Sequence, residues 1–291
     1  MTAFHEERFS ARDGLNLHVR RWLPPAEPRA VVVLVHGICE HGGRYAPVAE
    51  RLCRQGYALY AMDLRGHGHS DGERLLIAAF DDYLDDLDTL LQRIAAEQPG
   101  RPLFLLGHSM GGAVVTRFVL RRRPPISGLI LSAAALRIAG NVFPVLRKLA
   151  RLFSRLWPRL RLVRLGSRML SRDPQVVAEF RSDPLVFQGN FPVRTGAEIL
   201  DAAQDIQGQM EAIDVPLLIL HGTGDYVTDP RGSWDLYARS RSSDKTLRLY
   251  QGLYHDLLHE PEWEQIADEI LAWLDPRCRP EPCPGAAVGD R

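Results

Sequence analysis

Residues 103–112 read Leu-Phe-Leu-Leu-Gly-His-Ser-Met-Gly-Gly, an apolar run that passes directly into a G-x-S-x-G pattern, Gly107 to Gly111. A helical run, Ala113 to Arg121, follows at once. A turn from strand to helix this sharp needs glycines, because side chains at those positions would clash. It also holds Ser109 with its hydroxyl exposed above a sheet, where a helix N-terminus favours developing negative charge. A bare G-x-S-x-G is weak evidence and equally describes a small-residue turn closing a strand. The strand before it and the helix after it are what point to a nucleophile.

Working outward, similar short β-rich runs recur at Val31–Val35, Tyr57–Met62, Leu129–Leu131, Leu217–Leu220 and Leu247–Tyr250. Apolar strands separated by helical patterns predict a mostly parallel sheet, buried on both faces and flanked by helices. Arg8 to Trp22 alternates around Asp13-Gly14 and predicts an antiparallel hairpin at the sheet edge. Between Leu131 and Leu217 the strand rhythm stops for far longer than an ordinary loop lasts. The expected organisation is therefore a core of residues 1–136 and 205–275, a helical cap inserted at 137–204, and a disordered tail, rich in Pro and Gly, at 276–291.

A serine hydroxyl becomes nucleophilic only when a positioned base removes its proton and a carboxylate orients that base. With the nucleophile at an elbow of this kind, the fold class is the α/β-hydrolase fold and the chain order is Ser, acid, His. Asp225, in the Gly-containing loop after Leu217–Leu220, is the expected acid, with Asp229 as the alternative. His255, in Gly252-Leu-Tyr-His-Asp256 ahead of a helix starting near Pro261, is the expected base; only His259 competes after Asp225. An oxyanion hole needs two backbone N–H groups. Met110, after the nucleophile, and Ile38, in the loop opened by His36-Gly37, are the expected donors.

Composition limits the alternatives. The 36 basic and 36 acidic residues cancel, which gives no reason to expect a nucleic-acid partner. Four cysteines, Cys39, Cys53, Cys278 and Cys283, lack both paired metal-ligand spacing and a disulfide framework, so neither metal nor cofactor is expected. No apolar run reaches membrane-spanning length and none follows the charged N-terminal residues, so a cytoplasmic location is expected.

Several motifs are longer than this chemistry alone requires: His36-Gly37 followed by Glu40-His41-x-x-Arg44-Tyr45, Asp63-x-x-Gly66-His-Gly68-x-Ser70-x-Gly72, Gly107-His-Ser-Met-Gly-Gly112, the Asp225 loop, and His255 followed by Glu260-Pro261-Glu262. In these the chain resembles the monoacylglycerol lipases and related bacterial lysophospholipase-like hydrolases, from about Asp13 to Trp273. The resemblance implies a serine ester hydrolase acting on monoacylglycerols or similar single-chain lipid esters. It implies that Glu40 and Arg44 shape the polar, glycerol-receiving end of the pocket; an internal ion pair fixing the oxyanion loop is the competing account. The Asp63 to Gly72 segment is expected to be structural.

Arg137 to Arg172 carries nine Arg, one Lys and no Asp or Glu. Within it Val142, Val145, Leu146, Leu149, Leu152, Phe153, Leu156 and Trp157 recur at helical spacing, opposite Arg147, Lys148, Arg151 and Arg155. Such a basic amphipathic helix either packs on the core or docks on an anionic membrane surface. A short-chain esterase, a lysophospholipase or an aminopeptidase would use the same machinery. A non-catalytic lipid-binding protein of this fold would have lost one of the three residues, and all three are present.

Overall fold

The structure is a computed structural model that describes residues 2–139 and 151–278. Eight strands form one sheet: β1 (Ala3–Ser10), β2 (Asn16–Leu23), β3 (Ala30–Val35), β4 (Tyr57–Met62), β5 (Leu103–His108), β6 (Gly128–Ser132), β9 (Leu217–Gly222) and β10 (Lys245–Tyr250). Their order is β1-β2-β4-β3-β5-β6-β9-β10, parallel from β4 to β10, with the β1–β2 hairpin added antiparallel at one edge. Gly14, at φ +88°, turns that hairpin.

Strand β3 shows why the apolar runs lack alternation. Val31, Val33 and Val35 enter one hydrophobic cluster while Ala30, Val32 and Leu34 enter another, so both faces of the sheet are covered. The first face carries α2 (Asp81–Glu97) and α3 (Met110–Arg122). The second carries α1 (Ala46–Arg54) and the last helix (Trp263–Leu274). Every loop at the carboxyl ends of β5, β9 and β10 therefore rises from a rigid, two-sided core.

The segment between β6 and β9 is not simply helical. Residues 151–156 are helical, a two-stranded antiparallel pair follows, β7 (Arg161–Val163) with β8 (Phe191–Pro192), and α4 (Pro174–Ser182) lies between those strands. Pro158, Gly166, Pro184 and Gly189 interrupt helix propagation here. Next comes α5 (Val193–Gln207), whose Ile199, Ala202 and Ile206 join the cluster on the α3 face of the sheet. The boundary expected at residue 204 thus lies inside a helix packed on the core. The first part of the expected basic helix lies outside the described residues, as does the tail from residue 279; 275–278 form a single helical turn. Described residues of that basic helix leave Leu152, Leu156 and Trp157 more than half exposed.

Candidate active site

Ser109 follows β5 at the expected elbow. Its φ of +51° lies in the left-handed region, a strained conformation for a side-chain-bearing residue. The flanking glycines make the elbow possible: a Cβ on Gly111 would sit 2.0 Å from the Val35 carbonyl oxygen, and one on Gly107 2.6 Å from that of Gly111.

The three residues expected to act together meet. Ser109 Oγ lies 2.8 Å from His255 Nε2, and His255 Nδ1 lies 2.7 Å from Asp225 Oδ2. A carboxylate only accepts, so Nδ1 carries the imidazole proton and Nε2 is left to accept from the Ser109 hydroxyl. Asp225 is held on every side. Its Oδ1 accepts from the N–H groups of Val227 (2.7 Å) and Thr228 (3.0 Å), and its Oδ2 from the Thr228 hydroxyl (2.7 Å) and His221 Nε2 (3.1 Å). The Ser233 hydroxyl contacts His221 Nδ1 at 2.7 Å, leaving His221 Nε2–H to donate to Asp225.

Burial by itself would raise the Asp225 pKa, but the facing His255 and the His221 hydrogen bond hold it well below the usual carboxylate range. Burial would lower that of His255, and the Asp225 charge and hydrogen bond reverse this, raising it above 6.5. The fixed anion thus increases the proton affinity of the His255 imidazole.

Neither alternative stands in this line. Asp229 caps the helix that begins at Pro230, accepting from Arg231 N at 3.0 Å. His259 spends Nδ1 on Asp256 (2.7 Å) and Nε2 on the Arg44 carbonyl (3.0 Å).

The residues expected as oxyanion donors both lie next to Ser109. Met110 opens α3, so its N–H is one of those a helix leaves without an internal partner. Ile38 lines the same small cavity as Ser109 and His255. Its loop is packed against the elbow, since a Cβ on Gly37 would lie 3.2 Å from Ser109 Cβ.

Glu40 anchors that loop, accepting from Gly37 N (2.6 Å) and the Tyr45 hydroxyl (2.8 Å) and pairing with Arg44. Arg44 in turn reaches Asp256 (3.0 Å) and lies over the ring of Phe180 from α4, 4.8 Å from its centroid. Burial would raise the Glu40 pKa; Arg44 and neighbouring His108 bring it down to about 2. Of the two accounts of Glu40 and Arg44, the internal ion pair is what the structure contains, and both residues also line the cavity.

Sequence reasoning missed Thr228, His221, Asp256 and His108. His108 is buried, which pushes its pKa down to about 4, and its ring centre lies 4.9 Å from that of His255. His108 and Asp256 are the chain neighbours of Ser109 and His255, and His221 and Thr228 lie four and three residues from Asp225, so closeness in sequence was the signal that could have found them. In the Asp63 segment, Asp63 accepts from Gly42 N (2.8 Å) and from Arg20 (2.7 Å).

A nucleophile elbow, a hydrogen-bonded Ser-His-Asp line and an adjoining loop for an oxyanion on this sheet define a serine hydrolase of the α/β-hydrolase fold. The chain belongs to the Hydrolase_4 family, described as "Serine aminopeptidase, S33", which matches residues 26–262. It is similar to the monoacylglycerol lipase of Mycolicibacterium smegmatis, 36% identical over 92% of this chain and 96% of that one. It is also similar to the phospholipase YtpA of Bacillus subtilis, 32% identical over 85% of this chain and 96% of that one. Among solved structures it is similar to the Paleococcus ferrophilus monoacylglycerol lipase, with TM-score 0.80 and 31% identity over 94% of this chain and 99% of that one.

Proposed function

We propose that this chain hydrolyses monoacylglycerols or similar single-chain lipid esters through an acyl-enzyme. Ser109 Oγ attacks the ester carbonyl while His255 Nε2 takes its proton, and Asp225 balances the imidazolium. The N–H groups of Ile38 and Met110 receive the oxyanion. His255 then protonates the departing glycerol, and water, deprotonated by His255, releases the fatty acid. The observation that carries the chemistry is the continuous line from Ser109 through His255 to Asp225 at 2.8 and 2.7 Å. Support for the lipid ester comes from similarity to monoacylglycerol lipases along nearly the whole chain. A lysophospholipid is the second reading, favoured by the phospholipase among the relatives. An aminopeptidase would need a free carboxylate for the substrate amine, and Glu40 is already committed to Gly37, Arg44 and Tyr45.

The enzyme works in the cytoplasm and touches membranes peripherally. Leu152, Leu156 and Trp157 stand exposed beside Arg155, and no helix among the described residues is long and apolar enough to cross a bilayer. The test is turnover of monoacylglycerols of several chain lengths, a lysophospholipid, a short p-nitrophenyl ester and an aminoacyl amide, with lipids in anionic and zwitterionic vesicles. Lipid-ester turnover that Ser109→Ala abolishes, faster on anionic vesicles, is expected. Turnover of only the short ester or the amide overturns the lipid assignment.

A further inference from the structure

Beside the Ser109 cavity lies a second cleft of about 480 Å³ in the segment between β6 and β9. Three arginines line it, Arg164, Arg168 and Arg181, and no carboxylate does. Most other arginines of the described residues pair with an Asp or Glu; among those residues, none lies within 4.0 Å of these three. Outside the description, residues 140–150 contain no Asp or Glu, and the tail from residue 279 holds Glu281 and Asp290. Arg181 is oriented by its Nε–H bond to Ser167 Oγ, 2.8 Å away, and Ser167 lines the cleft as well. All three arginines are exposed, and together they give the cleft a positive lining that an anion can enter.

The position of the cleft says which anion. Leu165 and Phe180 line both the cleft and the Ser109 cavity, and so form a shared wall. Their chain neighbours Arg164 and Arg181 lie on the cleft side. In the oxyanion loop Ile38 lines the Ser109 cavity and Cys39 the cleft. An ester carbonyl at Ser109 therefore lies one wall away from the three positive charges. A lipid whose glycerol carries a phosphate has its anion within a few bonds of its ester, whereas a neutral monoacylglycerol has nothing to offer them.

We propose that Arg164, Arg168 and Arg181 form a phosphate subsite for the headgroup of a lysophospholipid hydrolysed at Ser109. This rests on the lipid-ester reading above and gives it a headgroup. Guanidinium forks match phosphate oxygens in pairs, which is why the site uses arginine. The volume lies within the roughly 300–1,000 Å³ of ordinary ligand pockets.

The test compares the full-length protein with Arg164→Gln, Arg168→Gln and Arg181→Gln, singly and together. Substrates are a 1-monoacylglycerol and the lysophosphatidylglycerol of the same short chain, both dissolved below their micellar concentrations so that no membrane surface contributes. The triple variant is expected to lose on the order of 10- to 100-fold in kcat/KM on the lysophospholipid, mostly through KM, as lost charge-assisted hydrogen bonds would require. Turnover of monoacylglycerol is expected to stay within about twofold, since an uncharged headgroup makes no such bonds. Glycerol 3-phosphate is expected to inhibit monoacylglycerol hydrolysis by the wild type and not by the triple variant.

Equal losses on both substrates, or no loss on either, overturn the subsite. Inhibition by inorganic phosphate alone, without a lysophospholipid-specific loss, overturns the headgroup assignment in favour of a free-phosphate site. Wild-type turnover of monoacylglycerol but not lysophospholipid removes the subsite and leaves the proposed function intact. Turnover of neither lipid beside a good p-nitrophenyl ester removes the lipid reading itself.

Discussion

Replacing Arg44 by Met leaves two carboxylates, Glu40 and Asp256, that are 3% and 1% exposed, without their shared cation. Each keeps some hydrogen bonds: Glu40 those from Gly37 and Tyr45, Asp256 that with His259. Removing one partner of a buried pair costs about 3–5 kcal/mol, and these remaining bonds place the cost near the lower end, about 3 kcal/mol at pH 8. Unfolding entropies of about 2.1 cal/mol/K per residue over 291 residues convert this to a fall in Tm of about 5 °C. The pH dependence gives the sharper check. In the native protein Glu40 and Asp256 have lowered pKa values, so their contribution to stability is present above the unfolded values, about 4.3 and 3.9, and lost as pH falls through the folded ones. Without Arg44, burial dominates and raises those pKa values, so acid neutralises the stranded charges and helps the variant. Its deficit, measured by calorimetry at pH 8, 6.5 and 5, is therefore expected to be largest at pH 8 and to shrink toward pH 5, and adding Asp256→Asn to recover part of it. A deficit below about 1 kcal/mol, unchanged between pH 8 and pH 5, would place the pair among exposed ion pairs and refute the reasoning.

Asp225→Asn is expected to lower kcat on the order of 10⁴-fold at neutral pH, because an amide can hold His255 in the wrong tautomer. In the native enzyme the acid limb of kcat/KM should lie above 6.5, since His255 must be neutral to accept the Ser109 proton and Asp225 raises its pKa. The variant should shift that limb to lower pH; an unshifted limb would assign it to another group. The raised His255 pKa also stabilises the fold, fully below 6.5 and less as pH rises through the folded value. Gly111→Ala drives a methyl to 2.0 Å from the Val35 oxygen and 2.5 Å from the His36 oxygen, both backbone. The expected cost is about 3 kcal/mol or more, seen as a loss of soluble protein or a Tm fall; unchanged Tm with full activity would mean the elbow relaxes freely.

The sheet was legible because its strands are short, apolar and buried on both faces: Tyr57–Met62 appears in the structure with the limits read from sequence, and β3, β5, β6, β9 and β10 differ by a residue or two at their ends. Ser109, Asp225 and His255 were legible because fold and chain order place them at loops after β5, β9 and β10. What lies between β6 and β9 was not. Its prolines and glycines break the helical period, and β7 and β8 are too short to carry an alternation of their own. Arg44 meets Asp256 across 212 positions of chain, and Thr228 reaches Asp225 only because the loop after β9 doubles back. Such contacts belong to the folded loops and have no periodicity to announce them.

Ser109, Asp225, His255, Ile38 and Met110 all lie outside the stretch between β6 and β9, which supplies Leu165, Leu170 and Phe180 to the wall of the cavity. The cavity wall thus draws on two separate stretches of chain, since Ile38, Glu40, Arg44 and His108 line it as well. Changes between β6 and β9 can reshape one side of the cavity while the line from Ser109 through His255 to Asp225 stays in place. A lineage built on this plan can diversify its diet by exchanging one continuous segment, and a designer can do the same by grafting.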